Sequence, residues 1–289
     1  METAPPPFTD VLVPLDGSPA AERALGPALE LVSRTGVPLR LLRRVFSDEA
    51  EEAAEYLAGL ADRYAGVTDA ETQIVDRDSI PDAIIEGLEP GTLVCLSSHG
   101  RGGVARAVMG SVTEALLRTL DRPTLVVGPH VTEDPVLAGR IVACIDGSPE
   151  SERTLEPARR WAAALGLPLW LVEVGEPGIP AEWITKGDAV EAGHVASLAR
   201  RLGHVDGWDV LHDKHPARAL AEMAAARHPW STGLLVMATH GHTGWDRLRL
   251  GSVTTATVHG STRPVLVVPA APVTNGTSGP VVDDSSRRS

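Results

Sequence analysis

The chain writes one pattern twice. VLVPLDGSPAAERAL at 11–25 returns as IVACIDGSPESERTL at 141–155, and the run 93–127 returns at 234–268 with 15 of 35 positions identical. Such a duplication restricts the chain to two copies of one domain, each carrying the same order of elements around its own core. The two echoes are offset by 130 and 141 residues, so the second copy holds eleven extra residues between its motifs. Glycine, aspartate and serine repeat best, and these are residues of turns and sites.

Each copy is about 130 residues long, enough to bury a core without disulfides or metals. The expected organisation is an N-terminal tail at 1–8, a first domain at 9–130, a linker at 131–138, a second domain at 139–270 and a disordered tail at 271–289. The last segment is rich in Gly, Pro, Ser and Asp and cannot build a packed core. A linker this short implies that the two domains pack together. The formal charge of −12 argues against nucleic acid or an anionic membrane as the main partner, although a nucleotide can still bind locally. No basic segment followed by an apolar one opens the chain, and the longest apolar stretch, 161–172, is interrupted by Gly166 and Pro168. Cys95 and Cys144 lie in apolar runs and read as buried small hydrophobes, which fits a reducing, cytoplasmic setting.

Apolar runs rich in β-branched residues and leucine alternate with longer helical patterns, five in each copy. In the first they lie at 10–15, 38–45, 72–76, 92–98 and 124–128; in the second at 140–145, 168–174, 208–212, 233–239 and 264–269. Strand, helix, strand in repetition predicts two tandem α/β domains, each a doubly wound, Rossmann-like, five-stranded parallel sheet of order 3-2-1-4-5. Ligands in this class sit beyond the carboxyl ends of the strands where the order reverses, here between strands one and four. Both echoes meet there. Asp16 and Asp146 end the first strands, and the SSHG and ATHG segments end the fourth.

Two glycine-bearing loops follow the fourth strands. Gly100 is separated by nine residues from Gly110 and Ser111, and Gly241 by nine from Gly251 and Ser252. Glycine admits close backbone approach, and amides at a helix N-terminus favour an anion, phosphate being the natural candidate. A tight turn with a cap is the plainer alternative, and Ser111 with Glu114 is expected to form a capping box. Arg101 and Arg106 make the first loop the more positive, so the first site suits phosphates better. In the DGSP segments Ser18 and Ser148 can cap a helix that opens on Pro19 and Pro149, while Glu22, Glu150 and Glu152 disfavour phosphate there. Asp16 and Asp146 are placed either to accept hydrogen bonds from ribose or adenine, to approach phosphates through Mg²⁺, or to hold an Asx turn. His99 and His240 flank the loops and could touch a ligand or fix the turn. His212 and His215 lack the acidic or cysteine company of a metal set and are read as surface residues. Trp245, inside the second loop, would report on binding.

This ordered set of apolar strand, DGS, HG, nine residues, GS and a final strand resembles the universal stress protein family in its tandem two-domain form. The family's nucleotide-binding members carry G-x2-G-x9-G-[S/T]; here Ser97 and Ala238 stand where the first glycine would be. The resemblance implies ATP with Mg²⁺ as ligand, contacted by Asp16 and Asp146, by the backbone of Val45 and Val174 at the ends of the second strands, and by the glycine loops. It also implies that the last strand of one domain pairs with another last strand, either within the chain or in a homodimer. With no recognisable general base or nucleophile, binding and signalling are expected, with at most slow hydrolysis. Two other readings stay open: a nucleotide-independent dimerisation module, and an enzyme that uses ATP to activate a substrate.

Overall fold

A computed structural model describes residues 4–46, 49–99, 109–131, 136–175, 187–226, 231–239 and 250–269. The first half runs β1 (Asp10–Leu15), α1 (Pro19–Glu22), α2 (Leu25–Thr35), β2 (Leu39–Val45), α3 (Ala50–Tyr64), β3 (Ala70–Asp76), α4 (Ile80–Glu86), β4 (Thr92–Ser97), α5 (Ser111–Thr119) and β5 (Thr124–Val127). The second half repeats the plan with β6 (Arg140–Ile145), α6 (Pro149–Glu152), α7 (Leu155–Leu165), β7 (Leu169–Gly175), α8 (Gly187–Leu202), β8 (Gly207–His212), α9 (Pro216–Ala225), β9 (Thr232–Ala238), α10 (Ser252–Gly260) and β10 (Val265–Val268).

The strands form one ten-stranded sheet, β3-β2-β1-β4-β5-β10-β9-β6-β7-β8, so each half has the order 3-2-1-4-5. Pairing inside each half is parallel, and the halves join where β5 and β10 pair antiparallel, Val126 opposite Val265 and Leu125 opposite Leu266. Buried on both faces, the central strands read as continuous apolar runs, and all six residues of β4 and β6 are buried. The last strands therefore find each other within the chain. One apolar core crosses the seam, with Phe8 packed on Trp161 at a ring separation of 5.2 Å and Leu125, Leu137 and Leu266 fully buried. Glu30 on α2 accepts from the Leu137 amide at 3.0 Å and closes the same junction.

At the amino ends of the strands the two halves solve one problem with different charges. Arg40 is held by Asp10 at 3.0 Å and by the Gly87 carbonyl at 2.7 Å, all out of water. In the second half Arg140 stands where Asp10 did, its guanidinium 4.4 Å from the Trp170 ring centre, and Trp170 donates to Asp209 at 2.9 Å. No helix among the described residues is long and apolar enough to cross a membrane.

Candidate functional site

The strand-one corners are built locally. Gly17 and Gly147 take φ of 81° and 78°, a region that costs glycine nothing. Asp16 Oδ1 accepts from the Ser18 amide at 2.9 Å, and Asp146 Oδ1 accepts from the Ser148 amide at 3.0 Å and its hydroxyl at 2.6 Å. The Asx turn is thus present in both copies, and both aspartates also line a cavity. Ser18 and Ser148 cap the short α1 and α6 through the amides of Ala21 and Ser151, with proline in the first turn.

The strand-four corners match equally closely. The Gly110 amide donates to the Ser98 carbonyl at 2.8 Å, and the Gly251 amide to the Thr239 carbonyl at 2.7 Å. Thr113 and Thr254, on the first turns of α5 and α10, donate to the carbonyls of Ser97 and Ala238 at 3.0 and 2.8 Å. These threonines repeat at one spacing after GS and fix each helix N-terminus to its strand; that repetition was the signal available in the sequence. A Cβ on Gly110 would stand 3.0 Å from the Ser98 carbonyl oxygen, which explains glycine there. The expected capping box does not form. Gly110 is the N-cap, Ser111 is already the first helical residue, and Glu114 pairs instead with Arg118 one turn on. Gly100, Gly241, His240, Trp245 and the loop arginines Arg101 and Arg106 lie outside the described residues.

Between strands one and four of each half opens a cavity, of about 490 Å³ in the first and about 210 Å³ in the second. The first brings together Asp16, Ser97, His99, Gly110 and Ser111; the second brings together Asp146, Val174, Ala238, Gly251 and Ser252. Val45 is 1% exposed, and its neighbours Arg44 and Phe46 form the first cavity's wall in its place. Sheet register explains the offset. Val13 lies opposite Leu41 and the equivalent Ala143 opposite Leu171, so Val174 matches Arg44, Glu173 matches Arg43 and Gly175 matches Val45. The sequence comparison had slipped by one residue.

The same register uncovers a reversal of charge. Arg43 is buried, 3.7 Å from Glu52 and 5.1 Å from the Tyr56 ring centre, and the Tyr56 hydroxyl donates to Glu22 at 2.9 Å. Burial and the Glu22 bond push the phenol well above its ordinary range. At the equivalent place Glu173 meets His194 at 3.2 Å, and His194 also reaches Glu152 at 3.6 Å. Arg44 is locked at the first cavity's mouth by the carbonyls of Arg77 and Asp78 at 2.6 and 3.1 Å, 3.6 Å above the Phe46 ring. The first cavity is therefore both larger and lined by two arginines, whereas of the equivalent pair in the second half Val174 lines the cavity and Glu173 is held by His194. His212 ends β8 and His215 precedes α9, but no group of three metal-ligating side chains occurs among the described residues.

A doubly wound sheet carrying DGS and HG-x9-GS corners at each switch point defines a class, and comparison with known proteins places the chain in it. The Universal stress protein family model matches residues 7–128 and again 138–269, so the chain belongs to that family. Among its relatives, universal stress protein Rv2005c of Mycobacterium tuberculosis is 31% identical over 248 residues, 78% of this chain and 76% of that protein. A universal stress protein of Mycolicibacterium smegmatis is 30% identical over 233 residues, 75% of this chain and 74% of its own length. A solved universal stress protein from Archaeoglobus fulgidus shares the fold, with a TM-score of 0.68 at 18% identity, covering 91% of this chain and 99% of the other.

Proposed function

We propose that this chain is a regulatory, stress-response protein that binds an adenine nucleotide, ATP with Mg²⁺, in the cavity of its first half and signals by occupancy rather than turnover. The observation that carries this reading is the first cavity: about 490 Å³, within the size range of ligand pockets, with Asp16 on one wall and the N-terminus of a nine-residue helix on the other. Base and ribose would lie toward Asp16 and the β2 end at Arg44, Val45 and Phe46, with phosphates toward Gly100, Gly110 and Ser111. Arg43 and Arg44 add positive charge to a chain that is otherwise strongly acidic. Asp16 alone cannot cage a metal, so Mg²⁺ would ride on the phosphates with that carboxylate assisting, as Asp146 would in the second half. The second cavity, about 210 Å³, falls below the pocket range and has no arginine among its described lining residues, so the two halves would serve unequally. A reducing cytoplasm fits the two buried free thiols.

The test is acid extraction of freshly purified protein and quantitation of adenine nucleotide per chain, beside Gly110→Val and Gly251→Val. One equivalent, lost in Gly110→Val and kept in Gly251→Val, is the expected result. Two equivalents would refute the unequal duty. None, even after incubation with excess MgATP, would favour the second reading: a nucleotide-independent interaction module. Ser97 and Ala238 at the missing glycine, and the antiparallel join of β5 to β10 between the halves, speak for that alternative. A melting temperature indifferent to MgATP would support it.

A further inference from the structure

A cluster of three imidazoles sits at the junction of the halves. His99 follows β4 and lines the first cavity, His130 follows β5, and His259 lies on the last turn of α10 in the second half. The His259 ring centre is 5.8 Å from that of His99 and 6.0 Å from that of His130, both pairs edge to face. We propose that His259 is a positioning residue for the first cavity, its ring edge holding the His99 imidazole against the wall that faces the ligand. This deepens the nucleotide reading above and rests on it.

Backbone contacts make the arrangement stiff. α10 begins at the second cavity with Gly251 and Ser252 and ends against the first half, where a Cβ on Gly128 would stand 2.0 Å from the Val258 carbonyl oxygen. The His99 segment is tied to the same place through Ser98: its amide donates to the Val127 carbonyl at 2.8 Å, and its hydroxyl lies 3.0 Å from His99 Nδ1. His259 Nδ1 is buried without a hydrogen-bond partner among the described residues, so ring packing, rather than a polar anchor, holds the imidazole. Burial, then the like charges available to His99 and His130, push its pKa down and keep it neutral near pH 7. The charged groups on α9, which packs beside α10 with Ala221 near Gly260, are engaged elsewhere: Arg218 is 2.7 Å from Asp213 and 3.9 Å from Glu222. Across the cavity, His99 shares its walls with Asp16, Arg43, Arg44 and Glu49.

His259→Phe keeps a ring edge against His99; His259→Ala removes it. The experiment is calorimetric titration of the full chain with MgATP, following the site that Gly110→Val abolishes. His259→Ala is expected to weaken that site by about fivefold or more, and His259→Phe to keep wild-type affinity. Wild-type affinity in His259→Ala, or an affinity in His259→Phe as weak as in His259→Ala, overturns the proposal; where the alanine variant fails to melt cooperatively, His259→Leu, which fills the space without a ring, takes its place in the comparison. A wild-type chain that binds no MgATP removes the nucleotide reading itself and this one with it, an outcome seen before any variant is made.

Discussion

Gly128→Ala is the sharpest perturbation of the seam. Gly128 follows β5, and the added Cβ would lie 2.0 Å from the Val258 carbonyl oxygen, 3.2 Å from its carbon and 3.7 Å from the Ser261 oxygen. A carbon and a carbonyl oxygen need roughly 3.3 Å, so β5 or the end of α10 must retreat by about 1 Å. Both are main chain in a close-packed junction, with no flexible side-chain tip to yield. Overpacking of this kind costs about 1–3 kcal/mol, while removing glycine from the unfolded chain returns about 0.4–1 kcal/mol. The clash wins, leaving the variant about 1–2 kcal/mol less stable, or about 3–6 °C lower in melting temperature for a chain of this size. Scanning calorimetry of wild type and variant at one protein concentration measures it. MgATP affinity should fall as well, because Val127, beside the substituted position, anchors the segment that carries His99. A variant that melts at or above the wild-type temperature would refute the close approach of α10 to β5.

Gly59→Ala is the matched opposite: Gly59 is exposed within α3, a Cβ there meets nothing within 4 Å, and urea denaturation should show a gain of about 0.5–1 kcal/mol. Arg40→Met should cost about 3–5 kcal/mol, because it strands Asp10, which is 5% exposed, and adding Asp10→Leu should recover most of that loss; equal stability of the single and double variants would refute the buried pair. Cys144 has its thiol pushed up to about 12 by burial, and burial raises Cys95 as well, so neither should react with a disulfide reagent at pH 8 until the protein is unfolded; complete modification of native protein within minutes would contradict this.

The strands, their order and the position of both corners could be read from the chain, because continuous apolar runs and repeated DGS and HG-x9-GS segments report local geometry directly. Details that depend on register could not. Assigning Val45 the place of Val174 ignored that side chains alternate along β2 and β7, and only pairing to β1 and β6 shows Arg44 in that place. The capping box at Ser111 failed because Gly110, pinned to Ser98, had already taken the N-cap. The sequence left open whether the final strands pair within the chain or between chains, since β5 and β10 read alike either way. The approach of His259 to His99, 160 positions apart, is invisible without the seam.

The antiparallel join of β5 to β10 has a consequence for divergence. Two free chains meeting through their last strands would associate by mass action and come apart on dilution, whereas here the linker holds the second half at an effective concentration of about millimolar. Any substitution in such a symmetric pair would also appear at both sites at once. Fusion lifts that constraint: Arg43 in one half and Glu173 in the other occupy equivalent places in a single molecule, at a fixed one-to-one ratio, so one half is free to specialise while the other remains its permanent partner.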